Sequence, residues 1–288
     1  MAGFTYRLRK ANEKRGYMIQ GLDPVFDKIP PSVHSRWRFS PVMLIVFFLT
    51  SIIDATALFV AGFKPNMSFF VAFDDEANGK FHGQEALAII CQYIRQNYPD
   101  HVLILDAKDG DIGASNNGYA KRAFVGYGAD AVTWDPYLGG AIQKQLEQHP
   151  GKGFIILGRT SNPEGTALQN LSLADGRRIF EATVDEWMFL RDEGHSIGFV
   201  AGATHPKELA SIRKRVGAAP LLIPGVGKQG GDALTVANAG FGGKHGAMGI
   251  NVSGASLYAD SGPSFANHAG KVMADYQYET RTKRMRSS

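Results

Sequence analysis

Eight short apolar runs constrain this 288-residue chain more than any other feature, because each ends in a Gly, Asp or Pro turn and most lead into a stretch of helical periodicity. The runs are YMIQGLD (17–23), ALFVAGFKP (57–65), HVLILDAK (101–108), DAVTWD (130–135), GFIILGRT (153–160), SIGFVAGA (196–203), PLLIPGV (220–226) and AMGINVS (247–253). Between them lie amphipathic segments such as GQEALAIICQYIRQNY (83–98), RIFEATVDEWMFLRDEG (178–194) and PKELASIRKRVG (206–217). Near-continuous hydrophobic strands that alternate with helices imply a parallel sheet covered on both faces. Eight such units predict an α/β chain folded as a single (β/α)8 barrel over 1–288, with short basic segments at its ends. An open doubly wound sheet is the competing architecture, but no Gly-x-Gly-x-x-Gly follows the first run. Residues 24–56 form a long excursion between the first two strands and are expected to be irregular before a helix.

Several other classes drop away. The segment PVMLIVFFLTSIIDATALFVAGF (41–63) is long enough to span a membrane. Asp54 inside it, Gly62 and Lys64 after it, and its β-rich second half instead predict a buried helix to about Ala55, then a turn and a strand. The first apolar segment comes too late for a signal peptide and lacks a cleavage motif, so a cytoplasmic location is expected. The single cysteine, Cys91, excludes an intrachain disulfide and sits at helical spacing as a core thiol. The net charge of +4 resides largely in YRLRKANEKRG (6–16) and RTKRMR (281–286), read as solvated terminal segments rather than a nucleic-acid or membrane surface. No His-x-x-x-His pair, Gly-x-Ser-x-Gly elbow or phosphate-binding Gly-x-x-x-x-Gly-Lys-Ser/Thr loop occurs.

In such a barrel, reactive groups sit where strands end. The first strand ends at Asp23, the second at Lys64, and the third at Asp106 and Lys108, with Asp111 on the following loop. The fifth ends at Thr160–Ser161–Asn162, the seventh in PGVGKQGGD (224–232) and the eighth in NVSGAS (251–256). Two lysines interleaved with three aspartates is a marked excess of charge for strand ends. Alternation points Asp106 and Lys108 to one side of their strand, and Asp109 away, toward solvent or a subunit edge. Asp111 reaches either the same pocket or a neighbouring subunit.

These segments resemble the orotidine 5'-phosphate decarboxylase family, in its longer bacterial and archaeal branch. LDAKDGDIG is similar to the family's Asp-x-Lys-x-x-Asp signature, GLDP to its first-strand aspartate and FKPNMSFF to its second-strand lysine. DAVTWDPYLG, GRTSNPEG and LLIPGVGKQGGD resemble further segments in the same order. The resemblance implies a homodimer with shared active sites that converts orotidine 5'-monophosphate to UMP and CO₂, with no metal or organic cofactor. It implies that Lys108 stabilises and protonates the C6 carbanion, held by Asp106 and by Asp111 from across the dimer, with Lys64 completing an alternating network. For the substrate it implies Asp23 and Lys64 at the ribose, Ser115 at the ribose of the neighbouring subunit's site, and Ile112 near the base. Ser161 would read the pyrimidine amide edge, Pro224 would line the pocket, and Gln229 would bridge base and phosphate. Backbone N–H groups at Gly227 and Gly254 would hold the phosphate.

The pattern is not complete. Gly254 stands where the family has a phosphate-binding arginine, with Lys228, Lys244 and His245 as possible replacements. Asp109 stands where this branch has arginine, Val71 where it has glutamate, and Gly140 where it has aspartate. Two other readings share the motif: a phosphosugar decarboxylase or aldolase dependent on Mg²⁺, and a nucleotide-binding pseudoenzyme.

Overall fold

The computed structural model describes residues 3–139, 142–192, 195–227, 230–243 and 246–283. All eight apolar runs contain a strand: β1 (Met18–Leu22), β2 (Gly62–Pro65), β3 (Val102–Asp109), β4 (Ala131–Trp134), β5 (Gly153–Arg159), β6 (Ser196–Ala201), β7 (Leu221–Pro224) and β8 (Met248–Val252). Each pairs in parallel with its neighbours in sequence, and β8 closes on β1 through Met18↔Ile250 and Ile19↔Asn251. The helical segments match their periodicity, as in His82–Asn97, Ile179–Asp192 and Pro206–Val216. Right-handed strand–helix–strand crossovers place these helices outside the barrel, where their apolar stripes cover the strands.

Two apolar clusters result. The larger fills the layer between strands and outer helices, with Phe48, Phe63, Phe154, Trp134 and Phe199 among its fully enclosed side chains. The smaller lies within the barrel: Ile19, Ala61, Val102, Ile104, Ala131, Ile155, Val200 and Leu222 meet Phe4, Leu8 and Ala11. Those last three come from the helix Phe4–Arg15, which therefore plugs the end of the barrel where strands begin. Gly153 makes the fit possible, since a Cβ there would strike the Phe4 ring. The basic segment 6–16 is thus no solvated tail. Its stripe at positions 4, 8 and 11 follows the helical period, while Arg7 and Lys14 pair with Asp130 and Asp100 at 2.9 and 3.2 Å.

Two further expectations shift. The second strand begins at Gly62 rather than 57, because Ala57–Phe59 forms a short 3₁₀ turn that continues the preceding helix. The excursion 24–56 is largely helical, with Pro31–Trp37 and Pro41–Thr56 each started by a proline in the first turn. The apolar length of Pro41–Thr56 is absorbed by the core: Leu44, Ile45, Phe48, Leu49, Ile52 and Ile53 are buried. Cys91 is buried as expected. The segment 281–286 lies partly outside the described residues.

Because the plug closes only the strand-start end, Phe4→Ala is expected to lower unfolding free energy by about 3–5 kcal/mol. Urea denaturation measures this, and the activity of the folded fraction should stay at the parent level.

Candidate active site

The β3 strand does not run straight into its loop. Leu105 pairs with Val132 and Asp109 with Trp134, so Asp106, Ala107 and Lys108 face the single residue Thr133. Within this bulge Lys108 takes φ +52°, the only left-handed non-glycine among the described residues. Such a conformation costs an L-residue about 1–2 kcal/mol. Thr133 fills the gap in the ladder: its Oγ1 accepts from the Lys108 N–H at 2.9 Å and donates to Asp106 Oδ1 at 3.0 Å. Asp106 and Lys108 do reach one pocket, but through a bulge rather than through simple alternation.

Asp106 is the centre of the charge network. Lys64 Nζ donates to its Oδ2 and Lys108 Nζ to its Oδ1, both at 2.6 Å. Lys64 is almost wholly enclosed, whereas the Lys108 side chain is 49% exposed toward the cavity. Burial alone would raise the Asp106 pKa, but the two ammonium groups outweigh it and hold the carboxyl well below its ordinary range. Burial likewise opposes the charged form of Lys64, yet the charges of Asp106 and then Asp23 leave its pKa raised.

A cavity of about 520 Å³ opens at the strand ends, within the size range of small-ligand sites. Of the residues singled out from the sequence, it is lined by Asp23, Lys64, Asp106, Lys108, Ser161, Pro224 and Gly254. Gly227 lies outside that lining, and Gln229, Lys228, Lys244, His245 and Gly140 fall outside the described residues. Asp111 and Ile112, on the loop after β3, and Ser115, which opens the next helix, are not among the lining residues. There Asn116 fastens the Asp111 backbone from both sides, and Ile112 is 63% exposed. Among the described residues, no group of three or more His, Cys, Asp or Glu side chains is gathered to hold a metal ion.

Sequence reasoning missed several lining groups, chiefly Asn66, Thr133 and Asn251. Asp23 Oδ1 and Asn251 Oδ1 are buried acceptors without a hydrogen-bond partner, so both are available to a donor on a ligand. Also missed was the support behind Thr160–Asn162. Arg159 is fully buried and donates to Thr160 O at 2.7 Å, Gln169 Oε1 at 3.0 Å and Thr166 Oγ1 at 2.7 Å. It also lies 2.9 Å from His205 Nε2. Burial, then the Arg159 charge, lowers the His205 pKa, so the imidazole serves as a neutral acceptor. Gln169 takes the Thr160 N–H at 3.0 Å and Thr204 Oγ1 donates to Ser161 O at 2.7 Å, which immobilises the segment.

Asp109 corrects another expectation. It faces neither solvent nor a subunit edge: it is 9% exposed, with Oδ1 accepting from Arg122 Nη2 at 2.6 Å. Burial raises its pKa, and the Arg122 charge only partly offsets this. The bulge is the reason, because it breaks the alternation on which the outward reading depended.

Fold and site together define a closed (β/α)8 barrel with a lysine set against a buried carboxylate at the lip of its strand-end cavity. Residues 48–267 match the model of the orotidine 5'-phosphate decarboxylase / HUMPS family. An orotidine 5'-phosphate decarboxylase of Janthinobacterium sp. (strain Marseille) is 40% identical over 257 residues, covering 88% of each chain. The Leishmania donovani OMP decarboxylase structure aligns with TM-score 0.74 and 26% identity, over 96% of this chain and 99% of that one. The UMP synthase of the same organism aligns with TM-score 0.81 and 28% identity over 98% of this chain, which spans 57% of that longer protein. The chain belongs to the orotidine 5'-phosphate decarboxylase / HUMPS family.

The sign of the Asp106 shift sets a pH test. A carboxyl whose folded pKa is depressed stabilises the fold above its unfolded pKa of about 3.9, and that contribution is lost as pH falls through the folded value. Asp106→Asn, which leaves Lys64 buried beside a neutral amide, should cost about 3–5 kcal/mol at pH 7. Chemical denaturation at descending pH should show the gap from the parent narrowing only below about pH 4.

Proposed function

We propose that this chain decarboxylates orotidine 5'-monophosphate to UMP and CO₂, a carbon–carbon lyase step of pyrimidine synthesis, with Lys108 as the reacting side chain. One observation carries the reading: a partly exposed ammonium, fixed at 2.6 Å on a buried carboxylate, faces the cavity of a chain from this family. Cleavage of the bond between C6 and the carboxylate leaves its electron pair on C6, where the pyrimidine ring delocalises little of it. A cation already oriented beside the reacting carbon stabilises that charge without reorganising as it forms. Lys108 then gives one ammonium proton to C6 as general acid, which completes UMP and leaves a neutral amine to be reprotonated from water. Asp106 keeps the ammonium in place, and Lys64 helps keep Asp106 ionised. The unpartnered Asp23 Oδ1 suits a ribose hydroxyl, and the rigid Thr160–Asn162 segment suits the polar edge of the pyrimidine. Pro224 would line the base, Gly254 leaves room for the phosphate against backbone donors, and Gly227 belongs to the adjoining loop.

The remaining site residues fit a homodimer. Asp111 and exposed Ile112 stand on the loop after β3 and Ser115 opens the helix that follows, while Tyr137 (84%) and Leu138 (53%) are exposed on the loop after β4. An apolar rim next to an open site supports a two-fold partner whose loops complete each cavity. A free nucleotide substrate favours a cytoplasmic location.

Two assays test these readings. Lys108→Ala should lower kcat by more than about 10⁴-fold, since it removes both the charge and the proton donor, while UMP still binds. Mixing inactive Lys108→Ala with inactive Asp111→Ala should restore roughly a quarter of parent activity, because half of randomly paired two-fold dimers hold one intact site. No recovery on mixing would rule out a shared site.

A further inference from the structure

The bulge that presents Lys108 must be held on both sides. Before it, Ile104 and Leu105 sit in the regular β3–β4 ladder, opposite Ala131 and Val132. Beyond it, the ladder resumes at one residue, Asp109, opposite Trp134. The Asp109 carbonyl accepts from the Asp135 N–H at 2.6 Å, and its carboxylate accepts from Arg122 Nη2 at 2.6 Å. Gly110 follows immediately, so close to β4 that a Cβ would lie 2.6 Å from the Asp135 carbonyl oxygen. The strained residue therefore sits one position from a fixed point, and that fixed point is an ion pair.

Arg122 gives the pair its reach. It begins a π-helical turn, Arg122–Gly126, that follows the helix Ser115–Lys121 at the far end of the loop carrying Asp111. Its guanidinium also lies 5.3 Å from the centre of the Tyr119 ring, on the same helix. Asp109 and Arg122 thus tie together the start of that loop and the helix that ends it. The contact is a single hydrogen bond rather than a fork, since Asp109 Oδ2 and Arg122 Nε are buried without partners. Neither side chain lines the cavity.

We propose that the Asp109–Arg122 ion pair is a positioning device for the reaction: it pins the outer end of the β3 bulge and so holds Lys108 left-handed, with Nζ on Asp106. This rests on the decarboxylase reading above. In it Asp109 is a positioning residue, not a catalytic one, and its negative charge has Arg122 as its partner.

Steady-state kinetics on Asp109→Ala, Asp109→Asn and Arg122→Met, with UMP titration to count folded sites, tests the proposal. Expected is a fall in kcat per site of about tenfold or more, with KM and UMP affinity within about threefold and partial recovery in Arg122→Lys. A kcat per folded site equal to the parent's, or activity lost only in step with the count of folded sites, would overturn it. Should the parent itself fail to turn over substrate, the decarboxylase reading fails and crystal structures of the parent and Asp109→Ala decide the positioning role separately. A relaxed Lys108 backbone with Nζ off Asp106 in the variant supports it; an unchanged left-handed Lys108 overturns it.

Discussion

One carboxylate shared by two ammonium groups governs this molecule. Asp106 accepts from Lys64 on one oxygen and Lys108 on the other, at the strand-end mouth of a closed barrel. Charges this enclosed persist only when each meets an opposite partner and their remaining hydrogen bonds are met. Lys64 is neutralised inside the wall, which leaves the Lys108 ammonium as the group presented to the cavity. The balance is asymmetric by design of position: the inner lysine is buried, the outer one reachable.

That asymmetry imposes a shape on β3. A regular strand offers one residue per ladder position, yet three residues of β3 stand opposite Thr133. The surplus lets Asp106 point to Lys64 while Lys108 folds back on the same carboxylate through a left-handed backbone. The cost of that conformation is offset by Thr133 within the bulge and by fixed pairing on either side of it. At the opposite end of the barrel, Phe4, Leu8 and Ala11 fill the interior, so the cavity opens at one end. The Arg159 network gives the β5 end comparable rigidity without placing a charge in the pocket.

Most of this was legible in the sequence where a repeating period carried it. Seven of the eight strands lay within their apolar runs and β3 ran one residue beyond its own, to Asp109, while Asp23, Lys64, Asp106, Lys108, Ser161, Pro224 and Gly254 do line one cavity. What escaped depended on departures from period. The plug helix was hidden because its charged residues outnumber the stripe of Phe4, Leu8 and Ala11. Ala57–Phe59 read as strand because an apolar 3₁₀ turn and a buried strand have the same composition. Asp109 was turned outward because alternation assumes a straight strand, and nothing in LDAKDGD announces a bulge. Thr133 and Arg159 were overlooked as single polar residues within or beside apolar runs, although a buried polar side chain in a barrel strand is itself a signal. Asp111, Ile112 and Ser115 are not among the residues that line the cavity.

In the proposed reaction Lys108 is set to meet negative charge at C6, not merely to bind a nucleotide. The direct measurement compares two ligands on the parent and on Lys108→Ala: UMP, and a UMP analogue carrying an oxyanion at C6. The substitution should weaken the anionic analogue by at least about 100-fold while UMP affinity changes little, because stabilisation is reserved for the charged state. Equal weakening of both ligands, or none of either, would contradict it.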